Sequence, residues 1–172
     1  MGRFALNDSA EVKVLPPVVL ATAVGLEFLV AIFAPMLIVP NAPAIVFGGA
    51  VVAVAVALVI QAARQLVREG TAFDARKSTT SIVTTGVYQF TRNPVYLSMM
   101  LLVVGIALIL NSLWALLEVI PTGSALYLPA IRPEERYLER KFDGAYQSYR
   151  DAVPRWLSLP RLIKFLRARR GT

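Results

Sequence analysis

Pro94-Val-Tyr-Leu-Ser-Met-Met-Leu-Leu-Val-Val-Gly-Ile-Ala-Leu-Ile-Leu110, followed by Asn111-Ser112 and a second apolar run over 113–131, contains one charged residue, Glu118. A run of this kind reads as a helical hairpin in a membrane: two apolar helices joined by a tight, uncharged turn. Ser112 is placed to cap the second helix. Pro121, Gly123 and Pro129 predict that this second helix is kinked or broken.

Working outward, an apolar block over 16–39 is too long for a signal-peptide core and suits a spanning helix. A turn at Pro40-Asn-Ala-Pro43 leads to a block over 44–63 rich in Ala, Val and Gly, whose small residues predict close packing inside the bundle. The fold class is therefore all-α, a polytopic membrane bundle of about four transmembrane helices (16–39, 44–63, 94–110 and 113–131). Polar segments over 64–93 and 132–172 complete a single membrane domain. The latter segment is expected to be cytosolic and helical over 132–150, with a basic amphipathic tail over 155–170.

Charge supports this division. The chain carries 18 Lys and Arg against 11 Asp and Glu. Only Arg3 and Lys13 precede residue 64, and no basic residue falls within 14–63 or 93–131. The positive-inside rule then sets the basic segments and both termini on the cytoplasmic side. It also explains the positive charge without a nucleic-acid partner. With no Cys and no His, thiolate chemistry, disulfides and the commonest general base and metal ligand are excluded, and no metal site is expected. With no organellar signal, a bacterial inner membrane is the expected location.

Two polar blocks flank the hairpin. The first is Gly86-Val-Tyr-Gln-Phe-Thr-Arg-Asn-Pro-Val-Tyr96, and the second is Arg132-Pro-Glu-Glu-Arg-Tyr-Leu-Glu-Arg-Lys-Phe-Asp-Gly-Ala-Tyr-Gln-Ser-Tyr149 with Val153-Pro-Arg155. Taken singly, each has an ordinary explanation. Asn93-Pro94 is a good helix start with Arg92 as an anchor. Tyr88 and Tyr96 suit an interfacial aromatic belt, and Glu134, Glu135 and Glu139 suit a solvated face paired to arginines.

Together, in this order around a hairpin, the blocks resemble the isoprenylcysteine carboxyl methyltransferase and phospholipid N-methyltransferase superfamily of integral membrane enzymes, over about 70–157. Asn93 and Ser98 stand where many members have His and Gly. The resemblance implies S-adenosyl-L-methionine as cofactor and a lipid or lipophilic small molecule as methyl acceptor at the cytoplasmic face. Arg92, Glu135 and Tyr96 are then the expected catalytic residues. Tyr88, Arg92, Asn93, Pro94, Tyr96, Glu134, Glu135, Tyr146, Tyr149 and Arg155 are the expected cofactor contacts.

Residue chemistry is compatible with that implication. Glu134 or Glu135 suits the cofactor's ammonium, Arg92 or Arg155 its carboxylate, and the tyrosines its adenine or sulfonium. Methyl transfer from an activated donor needs alignment and exclusion of water more than a histidine.

Two carboxylates remain at bilayer depth, Glu27 and Glu118. Glu118 is expected either to line the acceptor channel or to be a packed, protonated residue, and Glu27 to be structural or at an oligomer contact. One competing reading is a small four-helix proton-coupled multidrug transporter using Glu27. Another is a membrane adaptor whose basic tail grips anionic lipid.

Overall fold

A computed structural model describes residues 9–38, 43–71 and 78–170. All regular structure among them is helical: α1 (Pro16–Phe33), α2 (Pro43–Arg68), a 3₁₀ turn (Gly86–Gln89), α3 (Pro94–Ile109), α4 (Leu113–Leu126), a π-helical turn (Tyr127–Ile131), α5 (Arg132–Ala152) and α6 (Leu159–Arg170). Three stretches are long and apolar enough to cross a membrane: α1, α2, and the continuous run Leu113–Ala152. α3 is equally apolar, but its 16 residues rise only about 24 Å. Phe28, Phe33, Val46 and Phe47 stand exposed on the outer faces, as lipid-facing side chains should.

α1 stops short of the expected residue 39. Pro35 disfavours helical geometry at Ala34, and the chain turns extended. It then runs against the α3–α4 turn: Leu113 N–H donates to Met36 O at 2.7 Å, and Ile38 N–H to Asn111 Oδ1 at 3.2 Å. The turn expected at 40–43 lies outside the described residues except for Pro43, where α2 begins.

α2 runs beyond residue 63 to Arg68 and ends where Gly70 (φ 63°) adopts a left-handed conformation. There Thr71 N–H reaches back to Leu66 O and Gly70 N–H to Val67 O, which closes the helix end. Its small residues Ala44, Gly48, Ala55 and Ala62 form the buried stripe, and Gly48 fits against α3 so closely that a Cβ would stand 2.7 Å from Gly105 O. Packing is confined to that stripe. Ile45, Val46 and Phe47 are exposed, so α2 flanks the bundle instead of being enclosed by it.

The run over 113–131 is not broken. Pro121 is accommodated within α4, and Ser112 caps that helix by accepting from Ala115 N–H. The irregularity comes at Pro129, inside the π-helical turn, where Arg132 N–H bonds back to Tyr127 O. Pro129 O is free to accept from Lys13 N–H at 3.0 Å, which ties the N-terminal segment to this turn. α4 thus continues directly into α5, and the helix carrying Glu134 and Glu135 is an extension of the membrane hairpin.

α5 bends at Asp143 (φ 42°, ψ −123°), beside Gly144. Glu139 and Arg150 are paired across this bend. Eleven residues of straight helix would separate them by about 16 Å, so the second half of α5 doubles back. That return brings Tyr146 and Tyr149 inward.

Candidate functional site

The 153–158 segment is laced to 90–93 by backbone and hydroxyl bonds. Arg92 N–H donates to Pro154 O (3.0 Å), Ser158 N–H to Phe90 O (2.8 Å), and the Thr91 hydroxyl to Arg155 O (2.9 Å). These bonds join the two polar blocks despite more than sixty residues of separation.

At their junction lies Glu135, buried at 8% exposure. Arg155 grips it as a two-pronged fork, Nε to Oε1 at 3.0 Å and Nη2 to Oε2 at 2.7 Å. Arg92 Nη1 stands 3.4 Å from Oε1, and Asn93 Nδ2 donates to the same oxygen at 3.3 Å. Asn93 occupies the N-cap position of α3, yet its side chain makes no cap bond and turns to Glu135. The hydrogen bonds that Arg155 donates to Glu135 keep its guanidinium more firmly charged than usual. Arg155 also stacks over the Tyr127 ring at 4.8 Å, which adds a cation–π contact.

Beside this clamp is a cavity of about 310 Å³. Tyr88, Arg92, Asn93, Pro94, Tyr96, Glu134, Tyr146 and Tyr149 line it, so eight of the ten expected cofactor contacts share one wall. Glu135 and Arg155 are the exceptions: they stand behind the wall and brace it. The two adjacent glutamates thereby meet different surroundings. Among the described residues it is Glu135 that is ion-paired to arginine, whereas Glu134 faces the cavity and accepts from the Tyr96 hydroxyl at 2.8 Å.

Burial is the main force on Glu134. It pushes the carboxyl up to about 7, with the charge of Glu135 acting in the same direction and the Tyr96 bond opposing it. Burial likewise pushes the Tyr146 hydroxyl up to about 12, and raises Tyr88 and Tyr149 as well. The three tyrosines are therefore neutral donors at physiological pH. Tyr149 spends its proton on Tyr88 O at 2.7 Å and meets Tyr146 edge-on at 6.2 Å. The Arg92 side chain is only 8% exposed, and its Nε is buried with no hydrogen-bond acceptor among the described residues.

Sequence reasoning missed part of the enclosure. Val12, Leu15, Pro16 and Pro17 close the cavity from the α1 side, and Thr79 and Ser81 close it opposite, beside Thr71, Ile82 and Val83 of the stretch that carries the resemblance. Tyr137 also escaped notice, although its hydroxyl receives Thr79 N–H and so fixes that side to α5. Apolar residues without a motif gave no signal in the sequence. Glu118 is not among the lining residues; it lies beside Glu27, where α1 packs on α4.

Fold and site together define a membrane-embedded helical protein with a tyrosine-rich cavity, largely apolar in its lining, at one end of its apolar helices. The chain belongs to the phospholipid methyltransferase family, whose model matches residues 43–145, well over half its length. That family is one of methyltransferases, and its membership supports a lipid-methylating membrane protein over a transporter. No curated protein matches the chain.

Proposed function

We propose that the protein transfers a methyl group from S-adenosyl-L-methionine to the amine of a membrane lipid at the cytoplasmic face. One observation carries the choice of an amine: Glu134, the carboxyl that faces the cavity, is balanced near neutrality. A lipid amine is protonated in water and must lose its proton before its nitrogen can attack. A group with a pKa near the working pH is suited to take that proton. A carboxylate acceptor would need no base and would be repelled by Glu134.

The cavity also fits the cofactor. Arg92 offers a buried, unsatisfied Nε–H at the wall, which is what a carboxylate would complete. Arg92 would hold the methionine carboxylate, with Tyr88, Tyr146 and Tyr149 packed against the adenosyl and sulfonium portions. The cofactor supplies a methyl group already activated for in-line displacement. The chain's own work is then threefold. Arg92, braced by Glu135 and Arg155, fixes orientation. The apolar wall at Val12, Leu15, Pro16 and Pro17 excludes water. Glu134 takes the amine proton while the Tyr96 hydroxyl holds the carboxylate in place.

Titration of the detergent-purified protein with S-adenosyl-L-methionine tests the cofactor, and vesicles containing an aminophospholipid test the acceptor. Saturable binding with methyl incorporation into the lipid is expected. Absence of binding at millimolar cofactor would refute the reading.

A further inference from the structure

Glu27 is completely buried, and neither of its carboxyl oxygens has a hydrogen-bond partner among the described residues. It lies eleven residues inside α1, about 16 Å along the helix. Its neighbour across the α1–α4 contact is Glu118, half-buried, with one buried oxygen also lacking a partner. α3 and α4 are the helices packed on α1. α4 carries no ionisable group besides Glu118, and α3 carries only Tyr96, near its first turn at the cavity end. No Lys, Arg or His occurs anywhere within 93–131 or 14–63.

Two adjacent carboxylates without a counter-charge, one of them wholly buried in apolar surroundings, are very costly. The usual remedies are a basic partner, a bound cation or a proton. The sequence removes the first.

We propose that Glu27 is a hydrogen-ion site, held as the neutral acid beside Glu118, and that this bound proton keeps α1 seated against α4. Loss of the proton would set two negative charges against each other inside the bundle and drive α1 away. Pro16 and Pro17, at the start of α1, line the cavity, so the proton at Glu27 secures one wall of that site from within the membrane.

A hydrophobic carbodiimide reacts with protonated carboxyl groups in apolar settings, and peptide mass spectrometry locates the adduct. The wild-type protein in detergent at neutral pH is expected to carry the adduct on Glu27, unaffected by excess sodium. An unmodified Glu27 would overturn the proposal. Suppression by sodium would also overturn it, in favour of a metal cation.

Thermal melts give an independent reading. A proton bound by the folded state and absent from the unfolded chain makes stability fall as pH rises. Wild-type melting temperature should fall toward alkaline pH, while Glu27→Gln, which keeps shape and cannot ionise, should lose less, keeping only the part of the fall that Glu134 contributes to both proteins. Glu118→Gln should retain the Glu27 adduct and weaken the alkaline loss, which keeps the idea testable if Glu27→Gln fails to fold. Parallel alkaline losses in the wild type and both variants would also overturn it. None of these readouts depends on methyl transfer, so they stand or fall apart from the catalytic reading.

Discussion

Neutralising Glu134 and neutralising Glu135 should have opposite consequences, although the two residues are adjacent in sequence. Glu135 is 11% exposed at its side chain and balances Arg155 and the 8%-exposed Arg92. Removing one partner of a buried pair costs about 3–5 kcal/mol. Arg155 is a third exposed, so water recovers part of that, and Glu135→Gln should cost about 2–4 kcal/mol. For a chain of this size the melting temperature should drop by about 5–15 °C. Glu134 behaves differently because its carboxyl is raised in the fold to about 7. The stability this gives is full at acid pH and is lost as pH rises through 7. Above that pH the ionised group is a burden on the fold. Glu134→Gln should therefore leave stability at pH 8 unchanged or raise it by roughly 1–2 kcal/mol, after allowance for partial exposure. The same variant should lower kcat/KM by about 10²–10⁴-fold, the usual contribution of a general base. The wild-type rate should rise with pH through about 7 as Glu134 loses its proton. Fluorescence melts from Trp114 and Trp156, with a pH–rate profile, would measure both effects. Equal destabilisation by the two variants, or a fully active Glu134→Gln, would refute the division of roles.

Arg92→Lys keeps the charge but loses the planar fork, so cofactor affinity measured by calorimetry should fall by about tenfold, equivalent to ~1.4 kcal/mol. Gly48→Ala places a Cβ 2.7 Å from both Gly105 O and Ile109 N, neither of which can yield without moving backbone. It should destabilise the α2–α3 contact by about 1–3 kcal/mol in a thermal melt. Glu139→Gln removes an exposed partner of Arg150 and should change stability by no more than about 1 kcal/mol, with activity retained. Reporter fusions at the Asn111–Ser112 turn and at the C-terminal end should report opposite sides of the membrane, as the charge distribution requires.

The apolar blocks were legible because their length and lack of charge admit little besides helices in a lipid phase, and the α3–α4 turn falls where Asn111-Ser112 placed it. Helix ends were read less well, because they depend on partners remote in sequence. α1 ends early at Ala34-Pro35 and hands the chain to the Asn111 turn, and α2 runs on into the polar block because Gln65 finds Thr85 and Glu69. Pro121 and Pro129 suggested a break, whereas the proline effect is absorbed by one wide helical turn.

At the site, the ordered Arg, Asn, Tyr and Glu positions marked residues that the fold brings to one cavity and its brace. They gave no means of telling Glu134 from Glu135, because adjacent helical positions point about 100° apart and only packing decides which faces the cavity. The bend at Asp143 was equally hidden, although it is what returns Tyr146 and Tyr149 to the wall. The cavity's apolar side, Val12 to Pro17, left no motif at all.

The most direct test of the account is incubation of the purified protein with methyl-labelled S-adenosyl-L-methionine and a total lipid extract, followed by identification of the labelled product. The account predicts label on the nitrogen of an aminophospholipid, stable to mild base and abolished in Arg92→Gln and Glu134→Gln. Label released by mild base as a methyl ester would contradict the assignment of Glu134 as the base for an amine. No lipid label at all, from protein that binds the cofactor, would contradict the proposed function.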